Sequence, residues 1–209
     1  MTPLNTIQKL EKLFKDFPGI GPRQAKRFVY FLLTRNEEFT SEFVRLISEL
    51  KHEATVCSSC FRYFSKSNPL SNQTLCSTCS DTERDATLLM IVSRDVDYEN
   101  IERTSAYKGK YFVLGGVVPI LEQEPEKRIK ITKLIERINN DSSTIQEIIL
   151  ALNANPEGEN TADYIREKIS DLASSHNIKI STLGRGLATG NELEYTDSET
   201  LRSAFKNRQ

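Results

Sequence analysis

No apolar run in this 209-residue chain approaches the roughly 20 residues that a membrane span requires, since stretches such as Leu88 to Val92 and Tyr111 to Leu121 stop short. Nor does a charged segment followed by an apolar one open the chain, so no secretory signal is expected and the protein reads as soluble and cytoplasmic. Charge of one sign is also missing: the net charge is -1, so any contact with nucleic acid has to come from local patches. Cysteine is scarce, with four in two C-x-x-C pairs, and in a reducing compartment such pairs point to metal rather than to disulfides. Internal repeats, low-complexity tracts and long linkers are absent. The glycine-rich stretch Gly184 to Gly190, with Arg185 in it, has neither G-K-[ST] at P-loop spacing nor G-x-G-x-x-G. It reads as a surface loop before a terminal helix capped by Asp197 or Ser198.

What is present suffices for a core. A chain of this length with 38% hydrophobic residues buries roughly 70% of its unfolded surface, enough for one main domain and a small satellite. Leu4, Ile7, Leu10, Leu13, Phe14 and Phe17 recur at helical spacing until Pro18-Gly19 stops them. A second helix is expected from Pro22 to Leu33 and a third from about Ser41 to His52. Residues 54 to 80 have little periodicity and need an organiser other than a core. From Ala86 the texture changes to short apolar runs (88–92, 111–114, 147–152 and 178–183) between helical stretches near 98–104, 125–139 and 159–174, with a last helix after Asp197. That alternation predicts a parallel or mostly parallel sheet covered on both faces.

Three motifs carry chemistry. Phe17-Pro18-Gly19-Ile20-Gly21-Pro22-Arg23 is a tight turn between two amphipathic helices, and its glycines would let backbone N–H groups approach a phosphate where the second helix begins. Arg23, Lys26 and Arg27 follow within two turns, and between Lys9 and Arg35 seven basic residues face two acids, Glu11 and Asp16. Read bare, this is a helix-turn-helix corner with a solvated charged face; it also resembles the helix-hairpin-helix of DNA-repair proteins, which grips the backbone without reading sequence. Cys57-x-x-Cys60 and Cys76-x-x-Cys79, fifteen residues apart, can close a tetrahedral shell with no open position, as in a structural zinc site. Two disulfides or an iron centre are the alternatives, and His52 reads as a solvent-facing helix residue.

The third motif, Asn153-Ala154-Asn155-Pro156-Glu157-Gly158-Glu159, follows an apolar strand and opens a helix. It resembles the second half of the Toprim signature of topoisomerases, primases and old-family nucleases, in which a glutamate and an Asp-x-Asp hold Mg²⁺ at strand ends. Here those places read Ser93, Asn153 and Asn155, and only Glu157 and Glu159 remain, acids that ordinary helix capping would also place there. The site has the shape of a metal site and lacks its charge.

Taken in order, a basic hairpin, a four-cysteine module, a Toprim-like sheet and the tail Leu193-Glu194-Tyr195-x-Asp197-x-x-Thr200-Leu201 resemble the RecR family of bacterial recombination proteins over essentially the whole chain. Cys79-Ser80-Asp81, Arg84-Asp85, Ile101-Glu102-Arg103-Thr104, Tyr107-x-Gly109-x-Tyr111 and Val113-Leu114-Gly115-Gly116 support the likeness. The resemblance implies an α+β, multi-module protein: a helix-hairpin-helix at 1–53, a four-cysteine zinc module (zinc finger) at 54–80, a Toprim-like α/β domain at 81–183 and a glycine-rich loop and helix at 184–209. It implies a nucleoid-associated mediator without catalytic residues, a dimer or tetrameric ring that encircles DNA and acts with RecO and RecF to help load RecA on single-stranded gaps. Gly19, Gly21, Arg23, Lys26 and Arg27 would meet the DNA backbone; Cys57, Cys60, Cys76 and Cys79 would hold one structural Zn²⁺; Glu157 and Glu159 would face a partner such as RecO. Two departures from the family stand out: Ser93 where it carries glutamate, and a longer loop at 66–74 between the cysteine pairs. A Toprim nuclease or primase with a degenerate metal site is the competing reading.

Overall fold

A computed structural model describes residues 4–66, 72–184, 186–187, 190 and 192–206. Part of the 66–74 loop and, in the glycine-rich stretch, Arg185, Ala188 and Thr189 lie outside the described residues. The chain forms two compact units, Met1–Ala54 and Thr55–Gln209.

The first unit is helical. Helix α1 (Thr6–Lys15) opens on a reciprocal cap: the Gln8 N–H donates to Asn5 Oδ1 (2.9 Å) and the Asn5 N–H to Gln8 Oε1 (3.1 Å). Helix α2 (Pro22–Leu33) has the predicted bounds, with proline at its first position and Gly21 as N-cap. It buries Ala25 and Val29 and sets Phe28 edge-on to Phe14 at 5.6 Å. Helix α3 (Glu37–Glu53) begins four residues before the predicted Ser41, because the Asn36 side chain caps the Phe39 N–H (3.1 Å) and Glu37 and Glu38 sit in the first turn, where the helix dipole favours acids. None of its residues is buried; Phe39, Phe43, Leu46, Ile47 and Leu50 form an exposed apolar stripe.

The second unit starts with a small module, strands β1 (Ala54–Val56) and β2 (Tyr63–Ser65) paired together, then the short helix α4 (Ser77–Ser80). Then strands β3 (Asp85–Val92), β4 (Gly109–Val113), β5 (Glu147–Ala151) and β6 (Lys179–Thr182) form a wholly parallel sheet in the order β4-β3-β5-β6. Central β3 pairs Met90 with Tyr111 on one side and with Ile149 on the other. Side chains alternate between faces. Leu89, Ile91, Phe112, Ile148 and Leu150 pack under helices α6 (Ile131–Asn140) and α7 (Pro156–Ser175), while Met90, Val92, Tyr111 and Val113 pack under Tyr98 of helix α5 (Asp95–Arg103). Ile165 and Ile169 of α7 are fully enclosed, each contributing about 1.5–3 kcal/mol of burial.

Several boundaries differ from the periodicity. The helix expected over 125–139 is a 3₁₀ turn (Pro125–Lys127) and then α6, separated because the Lys130 N–H is drawn to the Leu114 carbonyl (3.0 Å) at the end of β4. Helix α7 begins at Pro156, three residues before the predicted start, with the Asn155 side chain capping the Gly158 N–H (2.8 Å). Helix α5 likewise starts at Asp95 and not near 98. The terminal helix α8 (Ser198–Lys206) takes Asp197 as its cap, Oδ1 accepting the Thr200 N–H (2.9 Å). Among the described residues no helix is long and apolar enough to cross a membrane.

Candidate functional site

The four cysteines come together. Cys57 follows β1, Cys60 closes the turn before β2, Cys76 caps α4 and Cys79 lies within it. Their four Sγ atoms lie within 4.8 Å of one another, all four thiols are free, and no other cluster of three or more His, Cys, Asp or Glu ligand atoms occurs among the described residues. The spacing fits a metal. Sulfurs about 2.3 Å from a tetrahedral ion stand about 3.8 Å apart, and the Cys60 and Cys76 sulfurs are at 3.7 Å. Crowding splits their acidities: Cys57 is pulled down chiefly by hydrogen bonding from Cys60, and Cys60 is pushed up chiefly by the same contact with Cys57. A cation that takes all four as thiolates removes that competition.

The module sits on the edge of the sheet. The Val113 N–H of edge strand β4 donates to the Cys60 carbonyl (2.8 Å), and Phe61, at φ +61°, lays its ring 5.3 Å from that of Phe112. The Tyr63 N–H donates to Asp95 Oδ1 (2.7 Å), and Arg137 reaches the Ser59 hydroxyl (2.6 Å). Behind the sulfurs the Thr78 and Tyr98 hydroxyls share a hydrogen bond (2.6 Å), and the Arg62 guanidinium lies 4.5 Å over the Tyr98 ring. Lys110 of β4 donates to the carbonyls of Cys79 (3.3 Å) and Asp81 (2.6 Å), and Arg84 pairs with Glu102. Periodicity placed several of these partners on a strand or helix, but only the fold shows that they meet the cysteine module.

The second location is the sheet's switch point. β3 leads to α5 on one face and β5 leads to α7 on the other, so the crevice at the carboxyl ends of β3 and β5 is where such sheets place ligands. Ser93 is buried there, and its hydroxyl has no hydrogen-bond partner among the described residues. The Asn155 side chain is committed to the α7 cap. Asn153 and Glu159 line a 460 Å³ cleft with Asp163, Arg166 and Thr182, whereas Glu157 lies outside that lining. Asp163 and Arg166 pair at 2.7 Å; sequence reasoning missed both, although the i, i+3 spacing of opposite charges on a helix was there to see. Gly158 has a steric reason: a Cβ there would fall inside the Asn153 carbonyl. Lys130 Nζ reaches Gly115, whose N–H donates to the Ser93 carbonyl (2.9 Å), and burial holds that ammonium below the usual lysine range against the pull of Asp95. Glu159 and Asp163 bring two carboxylates to the cleft, Asp163 already paired with Arg166, and among the described residues no group of three or more acids gathers there as Mg²⁺ would want.

The third location is the hairpin. Gly19 takes φ +76°, which only glycine adopts without strain, and turns the chain into α2. Gly21 has ordinary backbone angles, and among the described residues nothing lies within 4 Å of where its Cβ would be, so no packing there requires a glycine. The first intrahelical bond runs from the Ala25 N–H to the Gly21 carbonyl (3.0 Å), leaving the Arg23 and Gln24 amides ahead of it as helix-end donors. Arg27 donates to Gln24 (3.3 Å), and among the described residues Arg23, Lys26 and Arg27 make no ion pair; by contrast Arg45 on α3 is clamped by Glu42 and Glu49.

Residues 87–184 match the Toprim domain, and residues 186–209 match the model described as RecR, C-terminal. The Recombination protein RecR of Bifidobacterium adolescentis is 36% identical over 203 residues, spanning 97% of this chain and 95% of that protein. Its namesake from Staphylococcus aureus is 37% identical over 202 residues, 97% of this chain and 96% of the relative. These names are those of a recombination protein, not of a nuclease or primase. With such identity over 97% of its length, the chain belongs to the RecR family of recombination proteins.

Proposed function

We propose that this protein is a DNA-binding recombination mediator: it grips the DNA backbone through the hairpin, forms a ring around it, and acts with RecO and RecF to help load RecA on single-stranded gaps. The observation that carries the reading is the Toprim fold without its carboxylates, Ser93, Asn153 and Asn155 standing where phosphoryl transfer would need metal-binding charge. A fold kept while its catalytic charge is gone suits a scaffold better than a nuclease. Cys57, Cys60, Cys76 and Cys79 hold one Zn²⁺ in this reading, a closed four-sulfur site that supplies folding energy and no chemistry. Gly19, Gly21, Arg23, Lys26 and Arg27 meet phosphates; Glu157 and Glu159, exposed at the head of α7, offer an acidic edge to a protein partner such as RecO. The functional modules correspond to residues 1–53, 54–80, 81–183 and 184–209.

Self-association is supported by α3, whose apolar stripe has no cover among the described residues of its own unit. A ring also explains how a chain of net charge -1 binds DNA, since several weak basic hairpins facing one hole act by effective concentration. The test is an end-labelled gapped duplex incubated with metal-loaded protein and Mg²⁺ or Mn²⁺, each sample split between native and denaturing gels. Intact strands with a mobility shift are expected, and Arg23→Glu/Arg27→Glu should weaken the shift by a factor of ten or more, on the order of two lost phosphate contacts. Strand cleavage that is lost in Glu157→Gln would overturn the reading.

A further inference from the structure

The outer face of α2 is not a plain cationic surface. Arg23, Lys26, Arg27, Tyr30, Phe31 and Thr34 line one shallow groove of 480 Å³, with no acid among them. Tyr30 is 51% exposed and Phe31 44%, large rings left in water although α1 and α2 have a packed seam nearby at Ala25 and Val29. Cations flank the rings: Lys26 Nζ is 5.9 Å from the Tyr30 centroid, and the Arg35 guanidinium is 4.0 Å from that of Phe31.

Gripping duplex phosphates calls for the cations alone, because a duplex keeps its base faces stacked inside. Exposed rings one to two helical turns beyond the cations, about 6 to 10 Å along the axis, suit a strand whose bases are free to leave its backbone and stack. We propose that Tyr30, with Phe31 beside it, is a stacking platform for unpaired bases, and that this face of α2 makes the hairpin prefer single-stranded to duplex DNA. The inference rests on the reading that the hairpin binds DNA, and adds which form it selects and by which residues. Lys26 and Arg35, set against the rings, would add cation–π contact to a base stacked there.

The experiment uses the full-length, metal-loaded protein and fluorescence anisotropy with labelled oligo(dT) and a duplex of equal length, at two salt concentrations. Tyr30→Leu keeps the bulk and apolar character of the site; it should weaken oligo(dT) binding about tenfold, the loss of one stacked base, and leave duplex affinity and both salt slopes unchanged. Tyr30→Trp should restore oligo(dT) binding. Equal losses on both DNAs, no loss on oligo(dT), or a change of mass by light scattering in Tyr30→Leu would each overturn the proposal, the last by making this face a contact between copies. If Arg23→Glu/Arg27→Glu leaves both DNAs bound as before, the underlying DNA reading fails and not merely the stacking.

Discussion

Cys60→Ser, or removal of the metal by a strong chelator, is expected to release the module from Cys57 to Cys79 and to unpin the edge of the sheet with it. The module has almost no core of its own: among its described residues, three buried cysteines are joined by Phe64, Leu75 and Cys79, partly buried against them. In small zinc modules the ion contributes an apparent 10–16 kcal/mol, roughly, to folding, and an ion held by these four sulfurs would take that role here. The loss spreads because the Cys60 carbonyl accepts the Val113 N–H and the Tyr63 N–H is held by Asp95. Leaving the buried Val113 N–H without its partner costs about 1–3 kcal/mol, while the exposed Tyr63–Asp95 bond adds less. At roughly 2–4 °C per kcal/mol for a chain of this size, melting should fall by about 10 °C or more, while the α6–α7 side of the core persists. Hydrogen exchange is the sharper readout: amides of Cys57, Phe61 and Val113 should lose protection together. Full protection in metal-free protein would show that the module folds without an ion.

Gly158→Ala should destabilise the protein by about 2–3 kcal/mol although it adds one methyl group, because that methyl would occupy the place of the Asn153 carbonyl. Relief requires either α7 or the end of β5 to move, and both form the cleft that holds Asn153 and Glu159. The control is Gly186→Ala, where nothing among the described residues lies within 4 Å, with an expected change inside about 0.5 kcal/mol. Urea midpoints compare the two; equal midpoints would mean that the head of α7 is softer than its packing implies.

The cysteine spacing was fully legible because metal geometry is a local rule, and α2 was legible to the residue because Gly21-Pro22 marks its start and the apolar run its end. Starts of α3, α5 and α7 were misplaced by following apolar periodicity, when the first turns are set by the caps at Asn36 and Asn155 and by Asp97 accepting the Arg94 N–H ahead of α5. The break before α6 was illegible, since it depends on a bond from Lys130 to Leu114, a partner from another strand end. The loss of charge at the switch point could be read from Ser93, Asn153 and Asn155 alone. That Ser93 is sealed from water, and that Asn155 is used up in capping, needed the fold.

The uncovered stripe on α3 has a consequence for how this protein melts. If Phe39, Phe43, Leu46, Ile47 and Leu50 find cover only on another copy, folding of the N-terminal unit draws on association, and mass action enters its stability. Diluting the protein a hundredfold should then lower the first melting transition, whereas the sheet, sealed by its own helices, should melt at the same temperature at every dilution.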